Sequence, residues 1–327
     1  MLTRLLSLAL ALSFGVSLTT AQTVQTAQTA TAGDTPLDKA LLWRIDDSVD
    51  STASSYLFGT IHLIGAEDFL VSDSLMIALN RSERVTFEID PSEMTNPMVA
   101  MGLMQKAFMQ GDTTLRDVLT AEEYGVVKDH FKQVGLPMMF LDRVKPMFLS
   151  MLAGMDGMDL DLGSMLGGGG TDDDDEADGE GGIKSYELEL NKIAKATDKR
   201  IGGLETTDFQ LGLFDSIPYR AQADMLMAAI EAPAGAQDDQ LAELTKIYVT
   251  GDVDGMYAMT VGSEGGLGGF ERTLLVNRNL NWVAPMKEQI AAGATLFAVG
   301  AGHLGGPQGM VRLLRAEGYT LTPMSVR

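Results

Sequence analysis

The sequence predicts an α/β (α+β) domain: a mixed central sheet surrounded by helices, with two pseudo-repeated halves on either side of a helical middle region. Three observations lead there. Gly59-Thr60-Ile61-His62-Leu63-Ile64-Gly65 and Gly300-Ala301-Gly302-His303-Leu304-Gly305-Gly306 share the pattern G-x-x-H-L-x-G. Each heptapeptide follows a short apolar run that reads as a strand, and each precedes a helix-like and a second strand-like segment. The 327 residues are 45% hydrophobic and 21% charged, which excludes wholesale disorder and allows a sizeable core.

The chain opens with Arg4, an apolar run from Leu5 to Leu18, and the small residues Thr19-Thr20-Ala21. That run is shorter than the ~20 residues of a membrane span. It reads as a secretory signal peptide over residues 1–21, cleaved after Ala21, with a retained anchor as the alternative. The expected location is therefore periplasmic or secreted. Residues 22–36 repeat Ala, Gln and Thr and read as a flexible polar leader, and the domain is expected over 37–327. Leu41–Ile45 and Ser55–Phe58 alternate as strands around an Asp- and Ser-rich turn at 46–54. A helix is expected near 72–81 and a strand over Val85–Ile89. Residues 95–155, 184–196 and 208–261 read as helices, and 270–292 as one long helix. The end reverts to strand Thr295–Val299, loop Gly300–Gly306, helix Pro307–Glu317 and strand Tyr319–Thr322.

Residues 167–182 carry four consecutive glycines and then a run of acids with no base. Such a segment cannot bury apolar surface and reads as a disordered, solvated insertion. A calcium loop is the competing reading. With Asp174 at its first position, however, the twelfth falls on Ser185, where a bidentate Glu is required. Methionine occurs 21 times. Met147, Met151, Met155 and Met158, and likewise Met94, Met98 and Met101, recur at helical spacing. They read as core filling in preference to a pliable groove for peptide or lipid.

Acids outnumber bases 45 to 24, for a net charge of −21. So acidic a surface repels phosphate backbones, and nucleic acid is not an expected partner. With no cysteine there are no disulfides, no thiolate chemistry and no Cys-ligated metal. Imidazole chemistry rests on His62, His130 and His303. His130, on an amphipathic stretch, reads as structural. His62 and His303 fall at the carboxyl ends of strands, where open sheets place ligands. Glu88, near the end of its own strand, projects from the same edge if that strand lies beside the first motif, and Asp90 offers a further oxygen. Two imidazoles and a carboxylate suit a divalent metal with an open position, which acidifies bound water and polarises a carbonyl. Residues 300–305 also match G-x-G-x-x-G. The chain ends at Arg327, leaving no room for the rest of a dinucleotide fold. There is no H-E-x-x-H, no G-x-S-x-G and no P-loop.

Six blocks in order carry a resemblance: Leu42-Trp43-Arg44-Ile45, Tyr56 to His62, Phe87-Glu88-Ile89-Asp90, Gly203-Leu204-Glu205-Thr206, Arg278-Asn279-x-x-Trp282 and Val299 to Gly306. From Leu41 to Thr322 the chain resembles the TraB/GumN family, to which Tiki-type metalloproteases are similar. The resemblance implies a duplicated mixed sheet and a metal site with one His from each G-x-x-H and a Glu: His62, His303 and Glu88. Glu88 would ligate the metal or act as base. Glu205, Arg278 and Asn279 match further blocks and are expected to orient substrate or the ligands. The implied activity is an exported metal-dependent hydrolase, most simply a peptidase, using a divalent ion such as Mn, Co or Zn on a peptide or other small polymer. A non-catalytic protein that sequesters a peptide or assists an exopolysaccharide pathway is the alternative. The insertion at 167–182 departs from the family, and so does Lys184, where relatives often carry an acid. The second departure puts a carboxylate role in that block in doubt.

Overall fold

A computed structural model describes residues 35–47, 53–93, 96–153, 182–233, 235–262 and 270–325. Residues 1–21, read above as a signal peptide, nearly all of the segment read as a leader and of the acidic insertion, and Met94, Met155 and Met158 lie outside the described residues.

Strands β1 (Leu42–Asp46) and β2 (Ser55–Thr60) pair antiparallel, and β3 (Ile64–Gly65) follows the first G-x-x-H. Helix α1 (Asp73–Arg81) starts at Ser72, whose side chain accepts from the Leu75 N–H at 3.3 Å, as an N-cap should. It leads to β4 (Arg84–Ile89). The helical middle runs through α2 (Pro97–Lys106), α3 (Leu115–Val118), α4 (Ala121–Gln133), α5 (Met138–Leu141) and α6 (Pro146–Ala153). After β5 (Ile183–Lys184) come α7 (Tyr186–Ala196), β6 (Arg200–Glu205), α8 (Thr207–Leu213), α9 (Tyr219–Glu231), α10 (Ala236–Val249) and α11 (Val253–Gly262). A π-helical turn, Arg272–Val276, runs into α12 (Asn277–Ala292). The chain closes with β7 (Thr295–Gly300), α13 (Met310–Ala316) and β8 (Thr320–Met324).

Six strands form a mixed sheet in the order β6-β4-β7-β2-β1-β8. The first four are mutually parallel; β1 is added antiparallel to β2, and β8 antiparallel to β1, at one side. Register brings Thr60 opposite Gly300 and Ile89 opposite Glu205, so four parallel strands end along one edge. The two units diverge after their helices. The first sends β4 across to a position beside β7, and the second sends β8 back beside β1. Strand β4 therefore does not lie beside β2, as the sequence reading supposed for Glu88. Strand β7 is inserted between them, and Glu88 neighbours the second motif.

The main core gathers the inner strand residues with Trp43, Tyr186, Tyr248, Trp282 and Met286. Separate clusters fill the helical middle, with Phe131, Leu149 and Leu226 in one and Met147, Met151 and Phe214 in the other. Met147 and Met151 are thus core residues, as their spacing predicts. Met98 and Met101 are not: they are 70% and 52% exposed. Helical periodicity places residues on one face but cannot say whether another element covers it. The expected single helix over 270–292 is present as an unbroken run over 271–292, with the π-helical turn leading directly into α12. Among the described residues no helix is long and apolar enough to cross a membrane.

Close packing explains the second motif's glycines. A Cβ on Gly305 would stand 2.1 Å from the Val253 carbonyl oxygen at the start of α11, and backbone cannot yield as a side chain does. Gly306 has φ +77° and lies against the Tyr257 ring. Gly202 in β6 has nothing within 4 Å of its Cβ position. Gly305→Ala should cost ~1–3 kcal/mol or more in urea denaturation, whereas Gly202→Ala should stay within ~0.5 kcal/mol of the parent.

Candidate functional site at the carboxyl edge of the parallel strands

Alternation along β4 puts Thr86 and Glu88 on one face of the sheet and Phe87 on the other. That face is covered by α12, to which Thr86 donates a hydrogen bond at Gln289 Oε1, 2.6 Å. Two residues past the π segment, α12 carries Arg278, 1% exposed, over Glu88. The guanidinium has five N–H groups and all are used. Nε donates to Glu205 Oε1 at 2.9 Å, and Nη2 donates to Glu88 Oε2 at 2.5 Å and also to Glu205 Oε1. Nη1 donates to the Leu274 carbonyl of the π turn at 3.2 Å and faces His303 Nε2 at 3.1 Å. Trp282 donates to Glu205 Oε2 at 3.1 Å, and its ring lies 4.5 Å from that of His303. Gln210 of α8 bridges the two carboxylates, at 3.3 Å from Glu88 Oε2 and 3.1 Å from Glu205 Oε1. The Gly300 N–H closes the arrangement on Glu88 Oε1 at 2.8 Å.

Asn279 settles the tautomer of His303. Its Nδ2 donates to the carbonyls of His303 and Gln308, at 3.3 and 2.8 Å, which leaves Oδ1 as an acceptor. His303 Nδ1 stands 2.6 Å from that oxygen and must carry the proton, so Nε2 is unprotonated and its lone pair accepts from Arg278 Nη1. His62, on the turn after β2, is set differently. Its Nδ1 lies 2.9 Å from Glu187 Oε1, an ion-pair distance, but without the alignment of a hydrogen bond. Glu187 is on the first turn of α7 and accepts from Thr60 Oγ1 at 2.7 Å and Ser185 Oγ at 3.0 Å.

These partners give two copies of one motif opposite charge states. Burial opposes protonation of both imidazoles. At His62 the Glu187 carboxylate overcomes it and raises the pKa to about 9; at His303, Arg278 adds to it and the pKa falls to about 3. Glu88 is buried, yet Arg278 and both histidines hold it well below the usual carboxylate range. The influence of His62 on Glu88 and His303 places all three in one electrostatic cluster. Burial raises Glu205, and Arg278 only partly offsets this.

Structure therefore brings together His62, Glu88, Glu205, Arg278, Asn279 and His303. Asp90 takes no part: it accepts from the Ser92 N–H at 2.8 Å in a turn. His130 sits in the helical middle, edge-on to Phe131. The sequence reading missed Glu187, Thr60 and Gln210. Lys184 had put a carboxylate from that block in doubt, yet Glu187, on the following helical turn, supplies one. An acid in the first turn of a helix is too common a signal to have singled it out.

Two outcomes test this account. Replacing Arg278 by Lys keeps the charge but removes two of the five donors and the planar fork that spans Glu88 and Glu205, at a cost of ~3–5 kcal/mol in denaturant unfolding if the pairs break. The depressed His303 gives a pH signature. Between about pH 6.5 and about 3 the unfolded chain protonates this imidazole and the native chain does not. Stability from His303 is therefore complete above pH 6.5 and lost as pH falls. Over that window the stability of wild type should fall more steeply than that of His303→Gln, by up to ~1.4 kcal/mol per pH unit.

Comparison with known proteins adds one match. No curated protein and no solved structure matches the chain. The model of the TraB/PrgY/gumN family matches residues 41–323, which run from just before β1 into β8 and include every residue of the cluster. The chain belongs to the TraB/PrgY/gumN family.

Proposed function

We propose that the chain is an exported metal-dependent hydrolase, most simply a peptidase, with its site at the carboxyl edge of β2, β7 and β4. The observation that carries this reading is that buried Glu88 lies 3.8 Å from His303 Nε2 at the edge where β2 and β7, the strands that lead into the two G-x-x-H motifs, end side by side. The donor chemistry fits a divalent cation. His303 is neutral with Nε2 unprotonated, Glu88 is ionised, and each histidine has Nδ1 against an oxygen that is not itself a would-be ligand, the arrangement usual for ligating histidines; His62, favoured as the cation, would give up its proton to the ion. His303 Nε2, a Glu88 oxygen and the far nitrogen of His62 would hold the ion, with Mn, Co or Zn as candidates.

The spacing is at present set by a guanidinium. Among the described residues no three such side chains are gathered as a ready metal cage, and Arg278 contacts both His303 Nε2 and Glu88. An ion that draws on both requires Arg278 to yield these contacts and keep those to Glu205 and Leu274. When bound, such an ion acidifies water and polarises a carbonyl. The protein's own contribution is placement. Asn279 fixes the His303 tautomer, Glu205 anchors Arg278, and Arg278 keeps Glu88 unprotonated. His62, with 18% of its side chain exposed, is the imidazole that meets substrate. The peptide substrate rests on the resemblance to Tiki-type proteins, and export rests on residues 1–21.

The same guanidinium favours a second reading. If Arg278 and protonated His62 supply the site's positive charge in place of a metal ion, the chain is a non-catalytic peptide-sequestering or exopolysaccharide-accessory protein. Elemental analysis decides. The metal-dependent reading expects near-stoichiometric divalent metal in the purified protein and its loss in His62→Ala/His303→Ala. Glu88→Gln should lower metal affinity by ~10–100-fold or more and abolish peptide hydrolysis. A metal-free wild type that takes up none on incubation with Mn, Co or Zn leaves the binding-protein reading.

A further inference from the structure

We propose that Glu187 is the positioning residue for His62. It would fix the imidazole's orientation so that the nitrogen far from Nδ1 faces the Glu88–His303 pair. The inference rests on the reading of this edge as the functional site, and it assigns a role to a residue that no sequence motif singled out.

The geometry carries it. Glu187 is half-buried, and its two oxygens are held from different elements: Oε1 by the Thr60 hydroxyl at the end of β2, Oε2 by the Ser185 hydroxyl just before α7. Thr60 is two residues before His62 and 1% exposed, so the carboxylate is tied to the same strand end that carries the imidazole. Helix α7 is itself fixed by Tyr186, which packs edge-on to Phe58 at 5.3 Å and meets Phe69 at 4.5 Å. The carboxylate is thus held from two elements, whereas His62 Nδ1 makes no aligned hydrogen bond of its own. A fixed anion 2.9 Å from Nδ1 selects the ring flip that puts Nδ1 outward. This is the counterpart of Asn279 at His303, with one difference. Asn279 is a neutral acceptor aligned with its ring nitrogen, whereas Glu187 is charged and misaligned in the ligand-free arrangement. Contacts of this kind commonly tighten only when the site is filled.

Three variants test the proposal: Glu187→Leu, Glu187→Gln and Thr60→Val. Gln keeps the shape and an acceptor oxygen without the charge, and Val keeps the Thr60 volume without the hydroxyl that holds Oε1. Two readouts are needed. In metal-free protein, ¹⁵N and ¹³C resonances of the His62 ring report its orientation and contacts. In titrations with Co²⁺ alone, calorimetry gives affinity and the visible spectrum reports coordination geometry. The proposal expects altered His62 resonances with His303 unchanged, and Co²⁺ affinity down ~10–100-fold in Glu187→Leu. It expects smaller losses in the other two variants, with the Gln variant nearest to wild type. If Glu187→Leu does not fold, the Gln and Val variants carry the same comparison. Unchanged His62 resonances in the folded variants overturn the proposal. Altered resonances in a protein that binds no Co²⁺ even as wild type uphold the positioning role and overturn the metal-dependent function.

Discussion

The structure depends on one buried guanidinium. Taking Arg278 out of water costs several kcal/mol, and the fold tolerates it only because every N–H finds an acceptor. Those acceptors come from β4 (Glu88), β6 (Glu205), the π turn (Leu274) and the loop after β7 (His303). Arg278 thereby links two strands that are neighbours in the sheet, the second histidine motif and the helix lying over them. The wide turn that precedes α12 is where the Leu274 carbonyl becomes available to Nη1, and π-helical turns often mark functional positions. Apolar residues could fill this space and leave the domain at least as stable, so retention of the ionic arrangement fits a site better than a strut.

From that charge the rest of the electrostatics follows. Two carboxylates share Arg278, yet their shifts are opposite. Glu88 also receives the Gly300 N–H and lies within reach of both imidazoles, so its anion is the better supported. Glu205 is buried against Trp282 and feels the Glu88 charge, so its proton is harder to remove. The two histidines divide in the same way. Arg278 and a neutral amide keep His303 uncharged, and Glu187 favours the cation at His62. Chemically, the edge offers one fixed, unprotonated nitrogen in a buried setting, held by Arg278, and one partly exposed, readily protonated ring. A duplicated motif has thus become two different functional groups through their neighbours.

Much of this was legible in the sequence. The period-2 runs gave β1, β2, β4 and β7 to within a residue or two, because local alternation and Gly punctuation are local physics. The repeated G-x-x-H-L-x-G placed His62 and His303 at strand ends, and the conjunction with Glu88, Glu205, Arg278 and Asn279 named most of the cluster. Sequence could not show that β7 inserts between β2 and β4, since strand order is decided by how distant segments bury one another. Nor could it find Glu187, whose partner His62 lies over a hundred positions away. It also placed Met98 and Met101 in a core, when the helix they share leaves them exposed.

By itself, then, the sequence determined the fold class, the family and the identity of the two imidazoles, because these rest on patterns within short stretches of chain. Only the tertiary structure decided their chemistry. The proton on His303 Nδ1 is there because Asn279 spends its own donors on two carbonyls. The charge favoured on His62 is there because the end of β2 and the start of α7 meet at Glu187. Glu88 ionises in a buried site because a guanidinium from another helix lies against it. Each is a matter of distance and dielectric between groups remote in the chain, and residue order alone specifies neither.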